Sequence, residues 1–444
     1  MHVCRKWRQV VFASPRRLDL QILCTYGTPV KEYLGIWPAF PVVIDLYSMT
    51  GAGIPPKDEE NVIAALDSKF LDRVYVVRLD MTGLQLRKIA KVMEEPCPVL
   101  KCLQMTSEDR NTPELPAKFL GGSAPSLREV SLHGIPYPTL PSLLWSTIDL
   151  VELDLRKIPP TDYISPEAMV VGLSALPRLD IFILGFQPQP HPRRLGLRPP
   201  GVTLSPGHFV QVLPSLTYFE FNGASEYLED LVSRIDGPQL IHILIVYLNQ
   251  LIDFQTTQLS QFIDRSVGPE ELTHFKHAYI TFSSDKVTFD MCRQANYPFW
   301  DSGSARTDIL CEGMDWQVSH MAQVLRRFSA TLSNVIHLQL KTESEGLQSI
   351  DMDDVEWLLL LCRFSTVRTL HVCQELAGHV ALALEDITEE MFVEVLPRLD
   401  LICLAGQPAS TIEKFVGARW LSGYPVTVIE TEKEFEILKS YVVE

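Results

Sequence analysis

Four histidines, His242, His277, His337 and His371, each sit in or beside a short apolar phrase, and their spacing suggests surface recognition rather than catalysis. In a β-strand successive side chains point to opposite faces, so His337, Gln339 and Lys341 share one face while Leu338 and Leu340 share the other. Thr369 and His371 flank Leu370 in the same way. Tyr218, Glu220 and Asn222 alternate with Phe219 and Phe221, and Glu129, Ser131 and His133 alternate with Val130 and Leu132. These residues form the candidate target-binding set, a polar ladder on the open face of a sheet. Tyr218 leads it, because Tyr, Trp and Arg dominate binding hot spots.

The other patterns that could do chemistry resolve into structure. The eleven histidines include no H-E-x-x-H helix, and the chain has no G-x-S-x-G elbow, Walker loop or G-x-G-x-x-G fingerprint. Gly51-Ala52-Gly53-Ile54-Pro55-Pro56 begins like a phosphate loop, but its two prolines remove amides that a phosphate cradle needs, so a turn is expected. The acids Glu343, Glu345, Asp351, Asp353, Asp354 and Glu356 lack the glycine and glutamate register of a calcium loop. Capping of a helix starting near Asp353, with acids favoured in its first turn, accounts for them. No catalytic residue, metal site or cofactor is expected. The nine cysteines include no C-x-x-C pair, and buried reduced thiols are expected rather than a disulfide framework.

The ladder needs a scaffold, and the chain supplies one by recurrence. The phrase apolar-x-x-apolar-x-apolar begins at Val74, Leu100, Leu127, Leu150, Leu179, Leu216, Leu240, Phe275, Val335, Val367 and Leu399, with an earlier candidate at Val42–Tyr47. From Val74 onward the steps are 23 to 37 residues, except for 60 between Phe275 and Val335. Most lie near or somewhat above the leucine-rich-repeat period of roughly 20–29 residues. Helix-compatible stretches lie between phrases: 83–95, 208–213, 315–328, 353–364 and 389–396. Several are followed by a proline (Pro96, Pro177, Pro214, Pro397), a stop signal ahead of the next strand. The predicted fold is α/β, a degenerate leucine-rich-repeat solenoid over residues 16–444 with a curved parallel sheet, outer helices and the ladder on its concave face. An irregular insertion at about 285–313 carries strand-like Val287–Cys292 and Thr307–Gly313. The Pro-rich segment Gln187–Gly201 is expected to be a solvated loop.

Bulk numbers narrow the function classes. The 444-residue chain is 46% hydrophobic and 21% charged, which describes a folded protein. Its net charge of −16 disfavours non-specific binding to nucleic acid or an anionic membrane. No secretory h-region or membrane-length apolar run is present, so a cytoplasmic or nuclear location is expected.

The first 15 residues form a separate element. Val3, Cys4, Trp7, Val10 and Val11 fall at i, i+1, i+4, i+7 and i+8, one apolar stripe on a helix that should end before Pro15. The V-C-R-K-W-R-Q-V string resembles the closing helix of an F-box, with the L-P-x-E-[IL] front of that motif missing. Together with Met314–Leu340, DDVEWLLLLCRFSTVRTL and EVLPRLDLICL, it makes the chain similar to the F-box-like leucine-rich-repeat proteins of mushroom-forming fungi. That resemblance implies a substrate-recognition adaptor of a cullin-RING ubiquitin ligase, with a Skp-type adaptor and a protein target as partners. Val3, Trp7, Val10 and Val11 would supply a remnant of the adaptor-docking face. The competing expectation is a protein-interaction scaffold with no ligase link.

Overall fold

The computed structural model describes residues 5–13, 20–35, 40–47, 54–109, 112–159, 164–188, 210–248, 257–266, 275–292, 304–311, 314–343, 354–385, 387, 394–405 and 409–431. Val3, Cys4, most of Gln187–Gly201, Glu345, Asp351 and Asp353 of the acidic cluster and most of 389–396 lie outside the described residues. The described residues fall into two compact units, one holding the strands up to residue 186 and the other those from Tyr218 onward.

The first unit contains helix α1 (Arg5–Ala13) and then strands β1 (Ile22–Cys24), β2 (Val42–Leu46), β3 (Val74–Asp80), β4 (Cys102–Thr106), β5 (Glu129–His133), β6 (Glu152–Ile158) and β7 (Ile181–Phe186). They pair in sequence order, each parallel to the next. Between them run α2 (Val30–Leu34), α3 (Pro56–Ala65), α4 (Gly83–Val92), α5 (Leu140–Leu144) and α6 (Pro166–Leu173). The register places Ile44, Val77, Leu103, Val130, Leu153 and Phe182 in one cross-sheet row, every member buried. Burying such a side chain fully contributes about 1.5–3 kcal/mol, so each repeat is anchored by its neighbours.

The recurrence in the sequence is also a recurrence of hydrogen bonds. Strands β2 and β3 start on the first residue of their phrases, Val42 and Val74. From Leu100 onward each strand starts two residues into its phrase, because the leading apolar residue lies outside the strand, in most repeats closing a tight turn. Leu100, Leu127, Leu150, Leu179, Leu216, Leu240, Val335 and Leu399 each donate their amide to the carbonyl three residues back. The next two amides then share one carbonyl of the preceding repeat. Arg128 and Glu129 take Lys101, Val151 and Glu152 take Arg128, and Asp180 and Ile181 take Val151. In the second unit Arg368 and Thr369 take Ile336, and Asp400 and Leu401 take Arg368.

The second unit is not a pure parallel ladder, and here the expectation is corrected. Its strands are β8 (Tyr218–Gly223), β9 (His242–Tyr247), β10 (His277–Phe282), β11 (Lys286–Cys292), β12 (Ser304–Leu310), β13 (His337–Thr342), β14 (Thr369–Val372), β15 (Leu401–Ala405) and β16 (Thr427–Thr431). The spatial order is β8-β9-β12-β11-β10-β13-β14-β15-β16. Strand β11 runs antiparallel to both β10 and β12, whereas β12 is parallel to β9 and β10 is parallel to β13. The irregular insertion is therefore threaded into the sheet. A tight turn reverses the chain after β10: Ser283 N–H donates to Lys286 O at 2.9 Å. Reversal puts an antiparallel strand beside it.

Helices α7 (Ser225–Val232), α8 (Thr257–Ser266), α9 (Met314–Leu325), α10 (Ser329–Leu332), α11 (Asp354–Leu361), α12 (Gln374–Glu385) and α13 (Glu413–Leu421) complete the unit. Two of them are capped by the helix before. Glu229 of α7 accepts from the Gln258 and Leu259 amides at 2.7 and 2.9 Å, and Glu385 of α12 accepts from the Lys414 and Phe415 amides at 2.9 and 3.4 Å. Carboxylates at helix N-termini satisfy orphan donors and favour the dipole. Of the helix expected over 208–213, only 210–213 is described, and there Gln211–Val212 is extended, since six residues hold too little period to favour a helix.

Candidate functional site

The alternation that predicts the ladder is present in the burial of each strand. Val130 and Leu132 are buried while Glu129, Ser131 and His133 are half-exposed, and Leu338 and Leu340 are buried between half-exposed His337, Gln339 and Lys341. Thr369 and His371 are half-exposed as well. Glu220 is the exception: it is buried, and Tyr218 Oη donates to its Oε2 at 3.0 Å.

The candidates do not form one ladder. Register places His337 beside Thr369 and Gln339 beside His371, so those residues make one continuous patch with Lys341. Tyr218, Glu220 and Asn222 are separated from that patch by four strands. Glu129, Ser131 and His133 belong to the first unit, where His133 Nε2 lies 3.3 Å from Asp154 Oδ2 and Arg156 Nε donates to Asp154 Oδ1 at 3.0 Å. Of the adaptor-docking candidates, Val10 on α1 is 62% exposed. The side chains of Trp7 and Val11 lie outside the description, as does Val3.

What the sequence reading passed over is the chemistry carried by the inserted strands. On β11, Val287, Phe289 and Met291 are buried core residues, so Lys286, Thr288, Asp290 and Cys292 take the other face. On β12, Ala305, Thr307 and Ile309 point with the core, and Arg306 and Asp308 share the open face. Register sets Asp290 opposite Arg306 on one side and Tyr279 on the other. Arg306 donates from Nε to Asp308 Oδ1 at 2.8 Å and from Nη2 to Oδ2 at 3.2 Å, and Lys286 Nζ reaches Asp308 Oδ2 at 3.1 Å. Lys341 Nζ lies 4.8 Å from the Tyr279 ring centroid, a cation–π distance. Period-two alternation in KVTFDMC and SARTDIL was the signal that could have found this cluster.

Helix α9 holds the hairpin in place. Gln317 is buried, and its Nε2 donates to Ser283 O at 2.8 Å and Cys311 O at 3.0 Å, pinning the turn and the end of β12 together. Beneath the sheet, Phe289 meets Phe364 at 6.4 Å and Phe282 meets Trp357 edge-on at 5.6 Å.

Burial tunes the protonation of this face. Asp290 is 3% exposed, its Oδ1 accepts no hydrogen bond, and Arg306 Nε lies 3.8 Å from that oxygen. Burial pushes its carboxyl up to about 7, against the opposing pull of Arg306. The His277 and His337 rings stack with centroids 4.7 Å apart and planes 10° from parallel. Burial and the neighbouring ring bring His277 down to about 4, and burial with His337 does the same for His371. His337 is lowered by burial and by Lys276. These rings are neutral hydrogen-bonding groups at pH 7.

Among the described residues no group of three His, Cys, Asp or Glu side chains is placed to hold a metal ion, and no helix is long and apolar enough to cross a membrane. The described cysteines carry thiols without a disulfide; Cys24, Cys97, Cys102, Cys373 and Cys403 are buried, and Cys292, Cys311 and Cys362 are partly exposed. No family model and no curated protein matches the chain. Among solved structures, the leucine-rich-repeat-containing protein LegL7 from Legionella pneumophila aligns over 92% of this chain and 99% of its own, at 13% identity and a TM-score of 0.27.

Proposed function

We propose that this chain is a non-enzymatic repeat scaffold that binds a protein target on the open face of its sheet. The observation that carries this reading is the row-by-row alignment of polar side chains away from the packed core. His277, His337 and Thr369 form one row of the second unit, and Asp290, Tyr279, Gln339 and His371 form the next. Rigid strands hold these groups at fixed spacing, so little conformational entropy is lost when a partner docks. The inserted hairpin widens the face by two strands and brings most of its charge.

The reading is tested by selecting ligands from a random peptide display library on the purified chain. Substituting His371→Ala, Gln339→Ala or Tyr218→Ala should weaken the selected ligand at least about tenfold, or 1.4 kcal/mol, with the melting temperature nearly unchanged. Ligands insensitive to all three, but sensitive to Leu382→Ala, would move binding to the exposed helical surface, where Leu382 lies on α12.

A finer form of the proposal makes the scaffold the target-selecting arm of a cullin-RING ubiquitin ligase. Exposed Val10 on α1, together with Trp7, Val3 and Val11, is its candidate docking stripe for a Skp-type adaptor. Co-purification with such an adaptor, abolished by Trp7→Ala, supports it. Failure to co-purify removes the ligase link and leaves the scaffold intact.

A further inference from the structure

We propose that the hairpin surface of the second unit is a recognition site for an acidic segment of the protein partner. Asp290 holds a proton that it donates to a partner carboxylate, and Lys286, Arg306 and Lys341 form the cationic rim. The inference rests on the scaffold reading and names the partner chemistry of that same face.

Two independent features of the site point this way. The first is geometric. A carboxyl 3% exposed with an oxygen that accepts no hydrogen bond is costly to bury, and native structures leave few such groups. It lies at the floor of the open face, below side chains that reach solvent: the side chains of Lys286 and Arg306 are each 29% exposed. A partner group placed between them would supply the missing bond.

The second feature is charge. Three cations, Lys286, Arg306 and Lys341, surround two carboxyls, Asp290 and Asp308, so the cluster is net positive by one with both ionised and by two when Asp290 is protonated. This patch stands in a chain of net charge −16. An incoming lysine or arginine would meet three like charges, whereas an incoming carboxylate meets complementary ones. The remaining groups on the strands packed around Asp290 do not reverse that balance. They are Cys292 on its own strand, Ser304 on β12, His277 and Tyr279 on β10 and His337 on β13, none of them a carboxylic acid. His277 and His337 are held neutral by burial. The acid on this face farther off is Glu220, two strands beyond Arg306 and engaged by Tyr218.

Proton linkage supplies the signature. Asp290 titrates at about 7, so a partner that needs its protonated form binds the fraction of molecules carrying that proton. Apparent affinity scales with that fraction, which falls about tenfold between pH 6 and pH 8.

The test titrates the full chain into fluorescein-labelled (Glu-Ser)6, (Gln-Ser)6 and (Lys-Ser)6 peptides and a dT12 oligonucleotide, followed by anisotropy at pH 6 and pH 8. Expected is preference for the glutamate peptide, about tenfold tighter at pH 6 than at pH 8. Asp290→Asn, a near-isosteric neutral donor, should keep the binding and lose the pH dependence. Lys341→Gln leaves Asp290 in place and should weaken binding at both pH values. Equal or tighter binding of the glutamine or lysine peptide overturns the inference, as does equal binding of the oligonucleotide or a pH dependence that survives Asp290→Asn. If display-selected ligands of other chemistry still depend on His371 and Gln339, the acidic preference fails while the scaffold reading survives. If selected ligands map to the helices, the scaffold reading fails first.

Discussion

The two units solve the same problem, a polar face on a repeat sheet, and differ in how their strands bring charges together. In the first unit every strand is parallel to its neighbour, so equivalent positions of successive repeats stand side by side. Glu129 pairs in register with Glu152, and Asp154 lies one row away. Burial, then Glu129 and Asp154, raise the Glu152 carboxyl above its ordinary value. In the second unit the antiparallel strand β11 breaks the repetition and sets unlike residues opposite each other, Asp290 against Arg306 and Lys286 near Asp308. Where that unit returns to parallel pairing, like again meets like, as in the His277–His337 stack. Parallel pairing sets Glu129 beside Glu152 yet also sets Asp45 beside Arg78, whose Nη1 lies 3.5 Å from Asp45 Oδ2, so parallel neighbours are not bound to repeat a charge. An antiparallel insertion allows complementary charges to meet.

The largest expected effect tests whether the inserted hairpin depends on the helices beneath it. Trp357→Ala removes a fully buried ring that packs on Phe282 at the hairpin's first strand, and it should cost about 3–5 kcal/mol in urea unfolding. A loss under 1 kcal/mol would mean that the hairpin is held from elsewhere. Gln317→Ala should cost less, about 1–3 kcal/mol, by leaving the Ser283 and Cys311 carbonyls without that donor. Its readout is faster amide exchange confined to 282–292 and 304–311.

Strands β2 to β7 of the first unit were legible because they carry apolar phrases around buried residues such as Val130 and Leu132, whereas the three-residue β1 was too short to show one. The phrases at Val42 and Val74 start with their strands, whereas β4 to β7 start two residues after the leading leucine, which is equally buried but sits in a turn. In the second unit β11 and β12 were recognisable as strands, yet their place was not. Sequence order runs β10, β11, β12, whereas spatial order reverses them between β9 and β13, and only tertiary pairing decides that. The same gap hid Asp290, Arg306 and Asp308, whose types resemble a solvated insertion until the register brings them together.

The charge contrast also predicts pH behaviour. His277, His337 and His371 have folded values below the unfolded one, so the unfolded chain binds more protons as pH falls below about 6.5. Their contribution is complete above that value and is lost as pH falls, for His277 and His371 toward about 4. Asp290 is raised to about 7, so its contribution is present at acid pH and is lost as pH rises through 7. The two oppose each other between about pH 4 and 6.5. In Asp290→Asn, stability should therefore climb more steeply with pH across that window than in the parent chain. Urea midpoints at pH 4.5, 5.5 and 6.5 measure the slope, and parallel slopes would contradict the assignment.

The smallest effects carry the sharpest contrast, because their signs differ. Glu152→Gln relieves like-charge opposition in the first unit and should stabilise by about 0.2–1 kcal/mol. Lys286→Gln removes the 3.1 Å pair with Asp308 in the second and should destabilise by a similar amount, about 0.2–1 kcal/mol. Both differences should shrink in 1 M salt. Equal signs would erase the contrast.

The central claim, that partners dock on the open face where the hairpin enters the sheet, is tested most directly by lysine footprinting. The full chain, with and without a display-selected ligand, is labelled with an amine-reactive reagent and read by mass spectrometry. The account predicts protection of Lys286 and Lys341 on the open face, with Lys414 on helix α13 unchanged. Protection of Lys414 with Lys286 and Lys341 still reactive would contradict it.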